Sequence, residues 1–175
     1  MKRATVALTL SLLVAACSTR RPPVPPPTAR IIEAPVSGQV MSPRTYVTSS
    51  ASFDLFVLAA AELAQSRAVS SRVRAQANAE LADHRGLSAQ LSYAGRGLNL
   101  LPPRAMWKSD FERLAGMRAA SNFDAAYKKQ MIAAHQHQLK ISRDGARRGT
   151  SPTLRPVARN AADTLARHLK QLEAL

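Results

Sequence analysis

The pattern of apolar and polar residues is helical from about residue 48 to the end of the chain. Apolar residues recur there at spacings of three and four, which is the repeat of one face of an α-helix. Polar residues fill the positions between them, so each predicted helix has one face suited to burial. The pattern predicts four long helices, over residues 52–68, 71–95, 121–149 and 151–175.

A long link separates the second predicted helix from the third. Pro102 and Pro103 prevent the second helix from continuing. Ser109 and Glu112 have the spacing of a capping box, which predicts a short helix inside the link. The other two connections are tight turns. The expected fold class is therefore all-α, a four-helix bundle with a long link containing a short helix between helices 2 and 3.

The N-terminal residues differ from the rest of the chain. A basic start precedes an apolar run over residues 4–16, which is too short to span a bilayer and ends in small residues before Cys17. This arrangement resembles a bacterial lipoprotein signal peptide, so we expect residues 1–16 to be removed and Cys17 to be lipidated. In proteins with such signals, an Asp directly after the cysteine favours retention in the inner membrane, whereas Ser18 permits transport to the outer membrane. The expected location is the outer membrane, lipid-anchored and facing the periplasm.

Proline dominates the segment that follows. Seven of the eleven prolines lie between residues 18 and 47, which favours an extended, disordered tether over residues 17–47. Cys17 is the only cysteine, so the helical part has no disulfide. The expected organisation is a signal peptide over residues 1–16, the lipidated tether, and a helical domain over residues 48–175.

The chain is strongly basic, with 25 Lys and Arg against 11 Asp and Glu and a formal net charge of +14. The electrostatic field of this positive charge attracts polyanions. For an exported protein, the available polyanions are envelope polymers such as lipopolysaccharide and peptidoglycan. Arg143, Arg147 and Arg148 are candidate anion-binding residues, or alternatively a solvated helix end that complements the helix dipole. Nucleic acid is not expected as a partner, because the sequence has only eight aromatic residues and no helix-turn-helix or zinc-finger pattern.

Several motifs occur in the order and spacing of one bacterial family. They are Phe53-Asp54, Ala60-Ala61-Glu62, Asp83-His84, Phe123-Asp124, Tyr127, Met131, His135 and His168-Leu169. Residues 52–175 therefore resemble the ferritin-like predicted outer-membrane proteins of domain of unknown function 4142. The resemblance implies a ferritin-like bundle in the cell envelope and no established activity. The chain departs from the family pattern at Glu80, where an apolar residue is usual, and at Ala162-Asp163, where Leu-Pro is common.

Four residues are candidate metal ligands. Glu80 and His84 are one helical turn apart on the second helix, and His135 and His168 lie on the inward faces of the third and fourth. If the long link crosses the length of the bundle, the three histidines lie about 21, about 20 and about 18 Å from one end and share a layer. Imidazoles with a carboxylate suit a single transition-metal ion. The sequence contains no Glu-x-x-His, so a di-iron centre is not expected.

Two functions stay open at this point. The first is a lipid-anchored periplasmic helical bundle that binds or braces components of the cell envelope without catalysis. The second is a metal-binding protein, handling iron or acting in oxidative stress, with Glu80, His84, His135 and His168 as ligands. The same histidines could instead be structural residues that fix the register of the helices, each bonding a neighbouring Asp, Tyr or backbone carbonyl. In that interpretation Asp83 and Asp124 could cap or pair, and Tyr127 could donate. Hydrolases and dithiol oxidoreductases are disfavoured, because the sequence has no Gly-x-Ser-x-Gly turn, Gly-rich phosphate loop or second cysteine.

Overall fold

The computed structural model describes residues 30–32 and 41–175. This part of the chain is all-α apart from two short strands, as the apolar pattern predicts. The helices are α1 (Pro43–Arg67), α2 (Ser71–Arg96), α3 (Lys108–Ala119), α4 (Phe123–Arg148) and α5 (Leu154–Glu173). The strands β1 (Arg30–Ile32) and β2 (Ala105–Trp107) pair in parallel and contact α3. Cys17, the expected signal peptide and most of the expected tether lie outside the described residues.

The four long helices pack side by side. Helix α1 contacts α2 and α4, and α5 contacts the same two helices. The backbone N–H groups of Val69 and Ser70, in the turn between α1 and α2, donate to the Asp124 carboxylate near the start of α4, at 3.2 and 2.7 Å. At the same end, Arg72 near the start of α2 donates to the backbone carbonyl of Ala174, just after α5, at 2.6 Å. Helices α2 and α4 therefore start at the same end, and the link between them crosses the length of the structure.

Helix α1 begins at Pro43 rather than at residue 52, so the helical domain starts before residue 48 and the expected tether is too long at its C-terminal end. Ser42 Oγ accepts the N–H of Thr45 at 3.0 Å, and Pro43 occupies the first turn, where its missing N–H has no intrahelical partner to lose. The polar residues that obscured this start are buried in the structure: Ser49, Ser50 and Ser52.

Ser52 ties the long link to α1. Its Oγ donates to Asp110 Oδ2 and accepts the backbone N–H of Trp107, both at 2.8 Å. Helix α3 starts at Lys108 with Trp107 as its N-cap and has no side-chain cap, so the capping box expected at Ser109 does not form. Trp107 is buried, in agreement with a packing role.

The starts of α4 and α5 also differ slightly from the pattern. Asn122, not Ser121, caps α4 by accepting the N–H of Ala125 at 3.1 Å. Before α5, Ser151 Oγ accepts the N–H of Leu154 at 3.3 Å, and the helix begins at that leucine. Pro156 then falls in the first turn, where proline is tolerated.

The core consists of two apolar clusters. Helix α2 contributes Ala77 to one cluster and Leu91 to the other, and Glu80 and His84 lie between them. A polar layer therefore interrupts the apolar interior. Among the described residues, α1 alone is long and apolar enough to cross a membrane, and 67% of its most apolar stretch is buried against the rest of the protein. Burial of this kind is also found for the core helix of a folded domain.

Candidate metal centre

Four buried side chains from three helices meet in the polar layer. Glu80 and His84 come from α2, His135 from α4 and His168 from α5, and all four are 0% exposed. One ligand atom from each lies within 4.8 Å of the other three. The structure thus brings together the four candidate ligands named from the sequence. They share a layer because the long link crosses the structure and makes α2 and α4 run in the same direction.

One carboxylate oxygen lies at the centre of the cluster. Glu80 Oε2 is 2.9 Å from His168 Nδ1, 3.2 Å from His135 Nε2 and 3.4 Å from His84 Nε2. The other oxygen, Oε1, accepts a hydrogen bond from Gln76 Nε2 at 2.9 Å. Gln76 is one turn before Glu80 on α2, so the helix itself fixes the orientation of the carboxylate.

Two of the imidazoles are oriented by buried acceptors. His84 Nδ1 is 2.8 Å from Asp54 Oδ1, and the second oxygen of Asp54 accepts from Ser88 Oγ at 2.7 Å. His135 Nδ1 is 2.8 Å from the backbone carbonyl of Met131, one turn earlier on α4. A carbonyl accepts only, so Nδ1 donates to it, and Nε2 forms a hydrogen bond with Glu80 Oε2 at 3.2 Å.

The third imidazole is oriented at the protein surface. His168 Nε2 lies 2.7 Å from Asp83 Oδ2, and Arg167 Nη2 donates to the same oxygen at 2.7 Å. Burial opposes ionisation of Asp83, but hydrogen bonds from His168 and Arg167 outweigh it and lower the pKa of the carboxyl. Each of the three histidines thus uses its outer nitrogen for an acceptor and turns the other nitrogen toward Glu80. Metal-bound histidines in proteins are held by outer partners of this kind.

The donor set fits a metal ion. His84 Nε2 and His168 Nδ1 have no hydrogen-bond partner, although both lie close to Glu80 Oε2. Their short contacts therefore lack hydrogen-bond geometry, as for atoms directed at a common point rather than at one another. Ligands about 2.0–2.1 Å from a tetrahedral ion are roughly 3.3 Å apart, which is close to the three distances from Glu80. Binding an ion would bring all four ligand atoms, which lie within 4.8 Å of one another, to this spacing.

The charges of the buried side chains also favour a bound cation. Burial disfavours ionisation of Glu80, but the charge of His135, its hydrogen bond, and the close imidazoles of His168 and His84 hold the pKa of Glu80 well below the usual range. Burial likewise disfavours charge on His84, yet its hydrogen bond to Asp54 and its close contact with Glu80 raise its pKa to about 9. Asp54 and Glu80 are both buried, so they require compensating positive charge. A protonated His84 supplies part of it, and a divalent ion would supply all of it.

The family described as Domain of unknown function (DUF4142) matches residues 31–175. The chain belongs to this family. The resemblance to domain of unknown function 4142 is therefore confirmed, and the match begins before residue 52, whereas the ferritin-like fold and the envelope location that it implies stay predictions. A solved structure described as "CopM in the Cu(II)-bound form" has a similar fold, with a TM-score of 0.67 at 15% identity over 78% of this chain and 96% of that chain. No curated protein matches the chain.

The centre of this DUF4142 protein is closed to solvent. The ring of Phe53 contacts the imidazoles of His135 and His84 edge-on, with centroids 5.1 and 5.3 Å apart. Tyr127 is also fully buried, and burial, with a smaller effect of the Glu80 charge, raises the pKa of its hydroxyl. An ion held by all four side chains in this closed pocket would have no open coordination position, as in structural sites of other proteins.

Other titratable and basic residues lie outside the centre. Glu62 and His137 are exposed. Arg143, Arg147 and Arg148 are exposed at the C-terminal end of α4, where Arg148 Nη2 pairs with Asp144 Oδ1 at 2.8 Å. This position matches the interpretation in which basic residues complement the helix dipole.

The kinds of outer partner agree with the structural interpretation of the histidines, in which each bonds a neighbouring Asp, Tyr or backbone carbonyl and Asp83 can pair. The specific bonds from Asp54 to His84 and from Asp83 to His168 were not predicted. Gln76 could have been found, because it lies one turn from Glu80 on the same face of α2.

Proposed function

We propose that this DUF4142 protein binds one divalent transition-metal ion through Glu80, His84, His135 and His168, and that it holds the ion rather than catalysing a reaction with it. One observation carries the proposal: three imidazole nitrogens converge on one buried carboxylate oxygen while the opposite nitrogen of each ring is fixed by an acceptor. A purely structural histidine needs one such partner, not a shared centre.

The donor set favours Cu(II) or Zn(II). Three nitrogens and one oxygen suit these ions, and Cu(II) is the tightest binder in the divalent series. The similar fold described as Cu(II)-bound supports copper as the first ion to test. Iron in ferritin-like bundles is held as a pair of ions by several bridging carboxylates. Among the described residues, the cluster here has a single carboxylate, that of Glu80. The shared direction of α2 and α4 supports a ferritin-like bundle in which a single-ion site takes the place of the pair.

We further propose that the metal is held in the periplasm by a protein anchored in the outer membrane through lipid on Cys17. The basic start, the short apolar run and the small residues before Cys17 support this location. A Cys17→Ser variant should move from the membrane fraction to the soluble fraction of the envelope. An unchanged distribution would contradict the anchor and leave the metal site as a separate question.

The test of metal binding uses the whole chain, purified without chelator and without a histidine tag. We expect about one Cu(II) or Zn(II) per chain on titration, and none in a His84→Ala, His135→Ala, His168→Ala triple variant that keeps its helical circular dichroism. His137→Ala is the matched control, because this exposed histidine lies on α4 outside the cluster. A folded wild-type protein that takes up neither ion, nor iron or manganese, would overturn the proposal.

A further inference from the structure

The three outer hydrogen bonds of the centre differ in their access to solvent. The Asp54 side chain behind His84 is 8% exposed, and the acceptor behind His135 is a carbonyl within α4. Asp83, behind His168, is 39% exposed, and its partner Arg167 is 51% exposed. Of the three acceptors behind the histidines, Asp83 is the most exposed.

His168 therefore links the surface to the interior. Its Nε2 contacts the exposed carboxylate of Asp83 at 2.7 Å, and its Nδ1 lies 2.9 Å from the buried carboxylate of Glu80. The other two histidines are enclosed by buried acceptors on α1 and α4. A path from solvent to Glu80 between α2 and α5, beside His168, therefore begins at an exposed carboxylate.

We propose that Asp83, His168 and Arg167 form the port through which the metal ion reaches the centre. This inference rests on the proposed function. Asp83 binds the arriving cation and releases Arg167 and the N–H of His168. The freed imidazole swings outward, takes the ion on Nδ1 and carries it back to Glu80. Arg167 then pairs with Asp83 again and closes the port.

The charges of the chain make such a port useful. The protein is basic overall, with a formal net charge of +14, so its field repels cations. A carboxylate at the surface offsets this repulsion locally. The Asp83–Arg167 pair is exposed, and exposed ion pairs open readily because solvent replaces both partners. In contrast, opening the buried Asp54–His84 pair would expose a charge to an apolar interior.

Uptake kinetics test the port. Stopped-flow transfer of Cu(II), or of Zn(II), from a weak colorimetric chelator gives the association rate, and equilibrium competition gives the affinity. We expect Asp83→Asn to slow association about tenfold at low salt, and Arg167→Gln to speed it a few-fold. The difference should shrink as ionic strength rises. Asp83→Glu should restore most of the rate, since it returns the carboxylate.

Two controls separate a port from a residue that only orients His168. Asp144→Asn removes a carboxylate of similar exposure, 37%, that also pairs with an arginine, and it should leave association unchanged. Asp54→Asn should weaken equilibrium binding through dissociation, because Asp54 orients a ligand without lying on the path. If wild type binds metal but Asp83→Asn and Arg167→Gln leave the association rate unchanged, the port is overturned alone. If wild type binds no metal, the proposed function fails as well.

Discussion

Glu80 on α2 and His168 on α5 approach within 2.9 Å, from Oε2 to Nδ1, although no hydrogen bond joins them. The contact places a buried acid against a histidine whose other nitrogen is already used by Asp83. Such an arrangement is costly unless a cation or a proton is shared at the centre. Glu80 is therefore the residue on which both the charge balance and the proposed ligand shell depend.

Replacing this acid tests the ligand shell directly. Glu80→Gln keeps the shape and the bond to Gln76 but removes the negative charge that faces the three histidines. We expect the affinity for Cu(II) or Zn(II) to fall by more than about 100-fold, which exceeds the usual effect of an outer partner. Equilibrium competition with a chelator measures the change. Glu62→Gln, an exposed acid on α1, is the control, and equal losses in the two variants would contradict the role of Glu80.

Removing His84 should destabilise the metal-free protein. His84→Ala leaves the carboxylates of Asp54 and Glu80 buried without their shared partner. Breaking a buried pair in this way costs about 3–5 kcal/mol, against about 0.5 kcal/mol or less for a surface change such as His137→Ala. Urea unfolding in the presence of chelator measures both values. Similar free energies of unfolding for the two variants would show that the cluster does not depend on His84.

The same groups set a pH dependence. The pKa of His84 rises from 6.5 to about 9 on folding, so its contribution is full below pH 6.5 and is lost as pH rises through about 9. The pKa of Glu80 falls below 4.5, so its contribution is present above pH 4.5 and is lost at lower pH. Without metal, the combined contribution of these two groups should be greatest between pH 4.5 and 6.5. Metal binding requires neutral His84 and should tighten as pH rises toward 9.

Unfolding and metal titrations at a series of pH values check this prediction. His84→Ala should lose the alkaline decline in stability while keeping the acid one. A metal affinity that does not change between pH 6 and pH 9 would show that no proton leaves His84 on binding.

The shared layer of ligands could be predicted from sequence because helical rise fixes depth once the chain direction is known. Glu80, His84, His135 and His168 were all named, and the direction of the link decided whether they met. The outer partners could not be predicted in the same way. Asp83 and His84 are adjacent, so they project about 100° apart on α2, and only the packing of α5 shows that Asp83 reaches His168.

The start of α1 was hidden for a different reason. Ser49, Ser50 and Ser52 interrupt the apolar pattern, and the proline at residue 43 reads as part of the tether. In the structure, these serines are buried, and Ser52 bonds to the link through Asp110 and Trp107. A polar residue with an interior partner breaks the periodicity on which the prediction rests.

Gly145 on α4 marks the tightest approach between helices at the far end of the structure. A Cβ at this position would lie 2.9 Å from the ring of Tyr46 on α1 and 3.2 Å from the Cβ of Ala158 on α5. Both neighbours are buried, so neither side chain can move away freely. We expect Gly145→Ala to lose about 1 kcal/mol, because overpacking of about 1–3 kcal/mol outweighs the gain in helix propensity.

Gly86→Ala is the matched control for this substitution. Gly86 lies within α2, and a Cβ there would have no other atom within 4 Å. The change should therefore stabilise the protein by about 0.5–1 kcal/mol through helix propensity alone. Urea unfolding of both variants gives the comparison. If Gly145→Ala and Gly86→Ala both stabilise the protein, then Tyr46 repacks and α1, α4 and α5 do not pack at the spacing described. Changes of opposite sign in the free energy of unfolding would verify the close contact at Gly145.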